Sequence, residues 1–241
     1  MSRISQRIIL KNAVALILAL SLTGCERARE RSLAATYNEV QQLIRVEQDR
    51  VASAKTDRVL QGMKPGSVWY PRFRLLRVEI LLARREGKQA EEALNFQVPS
   101  GPEWIRERAR YELYQGYAAY LLQKYDAARE RLRDAETLAQ SAGDARLTAE
   151  IALRQGILAV TKKEFIDAGD KFQRTLDYAL RNSDAYLDMC RFWLPGTGKI
   201  SSWLPISLWI SRAPPLLPAK RGWHIWFVAH VPASNCRWDL R

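Results

Sequence analysis

The sequence predicts an all-α fold, an α-solenoid of helix-turn-helix units followed by an irregular C-terminal tail. Three observations carry this prediction. Apolar residues recur at intervals of three and four over most of the chain, a set of residues repeats at an offset of 40, and no alternating strand pattern occurs before residue 190. The chain has 241 residues, 47% of them apolar, which is enough for a substantial core.

The predicted helices follow one another with short breaks. A leading helix is expected within 32–66, because helical spacing begins near Leu33 and the adjacent Pro65 and Gly66 end it. Further helices are predicted at 69–85 and from residue 90 to 94. A loop rich in Pro and Gly then precedes four long helices, predicted at 103–122, 125–140, 145–162 and 164–181.

Two stretches of this helical region are alike. In each, a Gly is followed nine residues later by an aromatic residue and twelve residues later by an Ala. The two sets are Gly116, Tyr125 and Ala128, and Gly156, Phe165 and Ala168. A weaker third copy at 81–93 shares only the final residue, Ala93.

This pattern resembles the tetratricopeptide repeat (TPR), a helix-turn-helix unit. In that family the Gly lies where the second helix crosses closely, and the aromatic and Ala residues pack against the first helix. The resemblance implies a TPR-like array over 67–190 that binds a protein or peptide. The chain departs from the family in two ways: its spacing exceeds the usual 34 or so, and Glu112 and Gln115 replace the family's Trp and Leu.

The order of segments over 33–190 is similar to the N-terminal TPR region of bacterial CHAT-domain proteins. The similarity rests on the leading helix, the Trp69–Arg84 segment and the two Gly-containing units. It implies a regulatory region whose caspase-like catalytic domain would lie beyond residue 241. A truncated regulatory region of a CHAT-type protease is therefore the second functional hypothesis, and it gives no residue of this chain a catalytic role.

The N-terminus has the organisation of a bacterial export signal. Basic residues precede an apolar run over 13–22, which is too short to span a bilayer. The run ends in Leu22-Thr23-Gly24-Cys25, which resembles the lipobox of bacterial lipoproteins. The resemblance implies a signal peptide at 1–24, an acylated Cys25 followed by a tether at 25–31, and a lipid-anchored extracytoplasmic protein of the cell envelope. A plain membrane anchor, or a secretory signal with a chance Cys, is the alternative.

The C-terminal segment 191–241 differs in composition from the rest. It holds six of the eight Trp, six of the ten Pro and both His residues. A frameshifted or disordered segment is one interpretation. A genuine Trp-rich tail at a membrane interface is the other, and it would suit a structural envelope protein.

The charge and the motifs exclude several functions. The formal net charge is +12, but residues 26–191 contribute only +4 of it, so no nucleic-acid partner is predicted. No catalytic residue, cofactor or metal site is predicted either. His224, His230 and Cys236 lack the spacing of a metal site, and the sequence at 196–199 lacks that of a phosphate loop.

Tyrosines recur at intervals of three in one predicted helix, as Tyr111, Tyr114, Tyr117 and Tyr120. They could anchor a partner, since Tyr offers a rigid ring and a hydroxyl, or they could pack between repeats. Packing is the favoured interpretation for most of them. The first functional hypothesis is thus a lipid-anchored scaffold, without catalysis, that binds a protein partner of unknown identity.

Replacing Cys25 by Ser is expected to abolish acylation, because the thiol is the group that forms the thioether. In a bacterial host, an alkyne-labelled fatty acid should label the wild-type chain but not C25S. After fractionation, the wild type should be found in the membrane pellet and C25S should be lost from it. C190S is the matched control and should be labelled like the wild type. Equal labelling of C25S would contradict the lipobox interpretation.

Overall fold

A computed structural model describes residues 27–184, together with Leu187 and Asp188. These residues form eight α-helices and a short 3-10 helix (Pro102–Trp104), Leu187 and Asp188 are also in 3-10 conformation, and the described residues contain no strand, which confirms the all-α prediction. The helices are α1 (27–45), α2 (Asp49–Gln61), α3 (Trp69–Ala83), α4 (Gly87–Ala93), α5 (Ile105–Leu121), α6 (Tyr125–Ser141), α7 (Ala145–Thr161) and α8 (Phe165–Asn182).

Among the described helices, none is long and apolar enough to cross a bilayer. The predicted signal, Cys25 and the tail lie outside the described residues.

Consecutive helices of the described region pair into four hairpins, each with an A helix (α1, α3, α5 or α7) and a B helix (α2, α4, α6 or α8). The same turn joins the helices of each hairpin. One non-glycine residue has a left-handed φ, which is 61° at Glu47, 62° at Arg85, 59° at Gln123 and 62° at Lys163. The N–H of the following residue donates to the carbonyl oxygen five residues earlier, at 2.9 Å in all four turns. This bond satisfies a carbonyl that the end of an A helix would otherwise leave unpaired.

The turns place one small residue at the same point of every hairpin. The fifth residue after the left-handed residue is an alanine with no exposed surface in all four described B helices. These alanines are Ala52, Ala90, Ala128 and Ala168. Because an alanine side chain ends at Cβ, the two helices of a hairpin can approach closely there.

The residues on either side of this contact differ from one hairpin to the next. Seven residues before the left-handed residue, the A helices carry Val40, Val78, Gly116 and Gly156, all buried. Nine residues after it, the B helices carry Thr56, Leu94, Leu132 and Phe172. A Cβ built on Gly116 would lie 2.8 Å from Leu132 Cγ, and one built on Gly156 would lie 2.6 Å from Phe172 Cε1. The close approach of a large B-helix side chain therefore requires Gly in the third and fourth described hairpins.

The apolar core continues from one hairpin to the next. Leu75 of α3, Leu113 of α5 and Ile151 of α7 belong to one buried cluster. Smaller clusters lie at the two ends, one joining α1, α2 and α3 and the other joining α7 and α8. The A helices also pack against each other, α3 against α5 and α5 against α7. Each hairpin thus buries its apolar surface against a neighbour as well as within itself.

The structure differs from the sequence prediction at three places. Residues 27–31, predicted as part of the tether, are helical. The predicted leading helix is two helices, because Glu47 adopts a left-handed conformation that ends α1. In the second hairpin the register places Ala90, and not Ala93, at the fully buried position. None of the residues at the Glu47 turn is Gly or Pro, so the sequence contains no strong signal for a break there.

Replacing Gly156 by Ala is expected to destabilise the protein. In a helix this change normally gains about 1 kcal/mol of helix propensity. The new Cβ would, however, lie within 2.9 Å of three ring atoms of Phe172, whose side chain is fully buried. Overpacking of this kind costs about 1–3 kcal/mol. We therefore expect a net loss of about 1 kcal/mol in the free energy of unfolding, measured by urea denaturation.

The matched control is G66A, because a Cβ on Gly66 would meet no atom within 4 Å. Its stability should equal or slightly exceed that of the wild type. The double variant G156A/F172L should lose less than the sum of the two single variants, since the smaller side chain makes room for the Cβ. A G156A variant as stable as the wild type would show that the contact does not limit the helix spacing.

Candidate partner-binding face

Polar side chains from all four described A helices meet on one face. Arg110 of α5 donates from Nη1 to the hydroxyl oxygen of Tyr37 of α1 at 2.8 Å. Tyr114 of α5 donates its hydroxyl proton to Glu79 Oε2 of α3 at 2.9 Å. On α7, a nitrogen of Arg146 lies 3.6 Å from a carboxylate oxygen of Glu150. We call this set the A-helix face: Tyr37, Glu79, Arg110, Tyr114, Arg146 and Glu150.

Helical spacing explains why these residues share one face. On α7, Arg146, Glu150 and Arg154 follow one another at intervals of four, so their side chains lie above one another along the helix. On α5, Arg110 and Tyr114 are also four residues apart. The A helices pack side by side, which brings these polar rows next to each other.

Burial and neighbouring charges change the acid–base behaviour of this face. Burial raises the pKa of Glu79 above its usual 4.5, and the Glu150 carboxylate adds to that shift. Burial, followed by the charge of Glu79, raises the pKa of Tyr114 well above 10. Burial by itself would lower the pKa of Arg110, but the neighbouring tyrosine hydroxyls and carboxylates outweigh it and raise that pKa. Arg110 therefore keeps its charge, whereas Glu79 takes up a proton more readily than an exposed glutamate.

An aromatic group extends the face along α5 and α7. The rings of Tyr117 and Tyr120 stack with their centroids 6.1 Å apart and their planes 18° apart. The guanidinium of Arg154 lies 4.0 Å from the centroid of the Tyr117 ring, which is within cation–π range. The Tyr120 hydroxyl lies 3.4 Å from Thr161 Oγ1. Both rings are partly exposed, so they are available to a partner as well as to each other.

The four predicted tyrosines contact different helices. Tyr111 donates its hydroxyl proton to the Leu94 carbonyl oxygen at 2.8 Å, next to α4. Tyr114 is only 7% exposed and bonds to α3. Tyr117 and Tyr120 lie toward α7. An interval of three is shorter than one helical turn, so the four side chains spread around α5 and do not form a single stripe. A partner-binding role for them remains a prediction; Tyr114 is buried, whereas Tyr111, Tyr117 and Tyr120 are partly exposed.

The predicted repeat-packing residues lie at the hairpin contacts, with one difference between the two sets. Gly116 and Gly156 face Leu132 and Phe172, and Ala128 and Ala168 have no exposed surface. The Tyr125 ring is partly buried, with its centroid 6.2 Å from that of Tyr120. Phe165, at the equivalent position of α8, is 40% exposed. Unlike Tyr125, Phe165 belongs to the last described B helix.

The sequence analysis missed the arginines and glutamates of the A-helix face. A signal for them exists, because the three charged residues of the helix at 145–161 recur at a strict interval of four. Their partners on α1 and α3 are distant in sequence, and only the packing of the A helices brings them together. Within the described part of the chain, no group of three or more His, Cys, Asp or Glu side chains is arranged to hold a metal ion.

No protein-family model, curated protein or solved structure matches the chain. The equivalences among the described hairpins come from this chain's own residues.

Replacing Glu79 by Gln is expected to change how stability depends on pH. The folded-state pKa of Glu79 lies above the unfolded value, which is near 4.5. The wild type should therefore lose stability relative to E79Q as pH rises from about 4 through the folded pKa, because the unfolded chain releases the proton first. Urea denaturation over a pH series measures the difference.

Asp126 provides a control, because its pKa is shifted in the opposite direction to that of Glu79. Its hydrogen bond and ion pair with Lys162 lower the pKa of the carboxyl below 3.8. The wild type should therefore gain stability relative to D126N as pH rises above the pKa that the Asp126 carboxyl has in the folded protein. A stability difference between the wild type and E79Q that does not change with pH would contradict the placement of Glu79.

Proposed function

We propose that this protein is a lipid-anchored scaffold of the bacterial cell envelope, whose TPR-like array binds a protein or peptide partner through the A-helix face. One observation carries the proposal. The same turn and the same buried alanine recur in the four described hairpins, so the array presents equivalent A helices side by side. Repeat proteins use such continuous surfaces to hold extended partners.

The chemistry of the face supports a polar peptide as the ligand. Arg110 and Arg146 provide cations, Glu79 and Glu150 provide acceptors, and the Tyr117–Tyr120 pair provides flat apolar area. Tyrosine and arginine are the side chains that most often dominate binding energy at protein interfaces. Because both signs of charge are present, we expect a partner segment with mixed charge.

The anchor supports a position close to a membrane. An acylated Cys25 would lie two residues before residue 27, which is already helical. The first hairpin would then begin almost at the lipid surface, with little flexible tether between them. Several acyl chains would suffice to keep such a protein on the bilayer, at about 0.8 kcal/mol for each buried methylene.

Photocrosslinking from the A-helix face tests the proposed binding site. A photoreactive amino acid at Tyr117 should give a discrete adduct with one partner in intact cells, and the same probe at Glu130 of α6 should not. Glu130 is exposed and lies on a B helix, so it controls for random encounters. Adducts of equal yield at both positions would contradict a specific face.

Alanine substitutions then test the contribution of individual side chains. Once the partner is identified, R154A and Y117A should each weaken its binding about tenfold, as expected for residues that supply roughly 1–2 kcal/mol. E130A should leave the affinity unchanged. Circular dichroism of each variant separates lost binding from lost folding. Unchanged affinity in both face variants would move the binding site elsewhere on the array.

A further inference from the structure

A further arginine adjoins the A-helix face on α3. Arg72 lies thirteen residues before Arg85, the left-handed residue of its hairpin, and Arg110 lies thirteen residues before Gln123. The two arginines therefore occupy the same repeat position in neighbouring A helices. Glu150 has this position in α7, so a charged residue stands there in three consecutive described A helices.

Arg72 is held in place by a carboxylate and two indole rings. Its Nε donates to Glu107 Oε1 of α5 at 2.8 Å. Its guanidinium lies over the rings of Trp69 and Trp104, 5.2 and 5.3 Å from their centroids, which is within cation–π range. The Trp69 ring in turn lies 6.0 Å from that of Tyr37, a member of the A-helix face. We call Arg72, Trp69, Trp104 and Glu107 the Arg72 site.

These contacts use only part of the hydrogen-bonding capacity of Arg72. A guanidinium has five N–H donors, and among the described residues only the donor on Nε has a partner. The side chain is 31% exposed. Nη1 and Nη2 are therefore available on a guanidinium that is already oriented. A carboxylate can accept from both of these nitrogens at once, which is a strong and directional arrangement.

Arg74, two residues further along α3, shows the contrasting case. Its guanidinium also lies over an aromatic ring, 4.9 Å from the centroid of Phe96. Its Nη1 donates to the Tyr70 hydroxyl oxygen at 3.1 Å, and its Nη2 donates to the Ala93 carbonyl oxygen at 2.7 Å. Both terminal nitrogens of Arg74 thus serve contacts inside the second hairpin, whereas those of Arg72 have no partner among the described residues.

We propose that Arg72 binds the carboxylate of an aspartate or glutamate side chain in the partner segment. This inference rests on the proposed function, because the Arg72 site adjoins the A-helix face. The indoles of Trp69 and Trp104 cover part of the guanidinium, and partial removal from water strengthens a charge-assisted hydrogen bond. Because Glu107 already fixes Nε, little side-chain entropy remains to be lost when the carboxylate binds.

The position of the Arg72 site also predicts where the acidic residue lies in the partner segment. Arg72 bonds to Glu107, and Tyr117 lies ten residues further along α5. Ten residues of α-helix extend about 15 Å. An extended peptide covers such a distance in about five residues. A segment that contacts Tyr117 should therefore have its acidic residue about five positions away.

Peptide selection followed by a double-mutant cycle tests this inference. A phage-displayed library of random dodecapeptides is selected against the full-length chain in detergent, and peptides whose binding is weakened in Y117A are kept. These peptides should share an Asp or Glu. Replacing that residue by its amide should weaken binding to the wild type about tenfold, as expected for a hydrogen bond between charged groups. In R72Q the same replacement should change the affinity by less than about twofold, because the carboxylate has lost its partner.

R77Q is the matched control. Arg77 is also an ion-paired arginine of α3, but its Nε lies 3.4 Å from a carboxylate oxygen of Asp57 on α2. R77Q removes the same charge from the same helix, and the full effect of the amide replacement should persist in it. This control separates a specific contact at Arg72 from a general loss of positive charge.

Three outcomes would overturn the inference while the proposed function stands. The first is an R72Q variant that binds the acidic and the amide peptide more weakly by the same factor, which would assign Arg72 a purely structural role. The second is a set of Tyr117-dependent peptides without a shared acidic residue, and the third is an amide effect that persists in R72Q. A library that yields no Tyr117-dependent peptide would instead contradict the proposed function, and this inference with it.

Discussion

The close approach of the two helices within each described hairpin is the constraint on which the rest of the structure depends. A fully buried alanine lies at the contact in all four of these hairpins. The left-handed turn determines which residue falls there, because it fixes where the B helix starts relative to the A helix. Neighbouring side chains then share the remaining space, and the largest of them, Phe172, faces Gly156. Interiors packed at this density leave no room for independent changes at either position.

The A-helix face follows from this arrangement. Since each A helix uses one side for its own B helix and others for its neighbours, its remaining side lies beside the corresponding sides of the other A helices. Polar groups that are partly withdrawn from water there need partners, because an unpaired buried charge is costly. Arg110 donates a hydrogen bond to Tyr37, and Glu79 accepts one from Tyr114. In both cases the two residues lie on helices that are far apart in sequence. These hydrogen bonds hold the side chains of the A-helix face in place, which would lower the entropy cost of the binding that we propose.

The sequence by itself determined the helical class and the bounds of the last four described helices to within two residues. It did so because these helices are long, periodic and separated by short turns, and because the Gly, aromatic and Ala residues mark the repeat directly. It did not reveal the break at Glu47 or the register of the second hairpin. No Gly or Pro marks the turn at Glu47, and the weak third copy of the pattern lacks the Gly and aromatic residues that fix the register in the later hairpins.

Only the tertiary structure decided which side chains meet on the A-helix face. Whether Tyr114 packs inside or binds a partner depends on where Glu79 lies, 35 residues earlier in the chain. Periodicity places a residue on a side of its own helix but does not say which helix lies opposite. That choice follows from the spacing of the hairpins, which the contacts at Ala128, Ala168 and their equivalents set. The polar network is therefore a property of the packed array, whereas the helices that carry it are a property of the sequence.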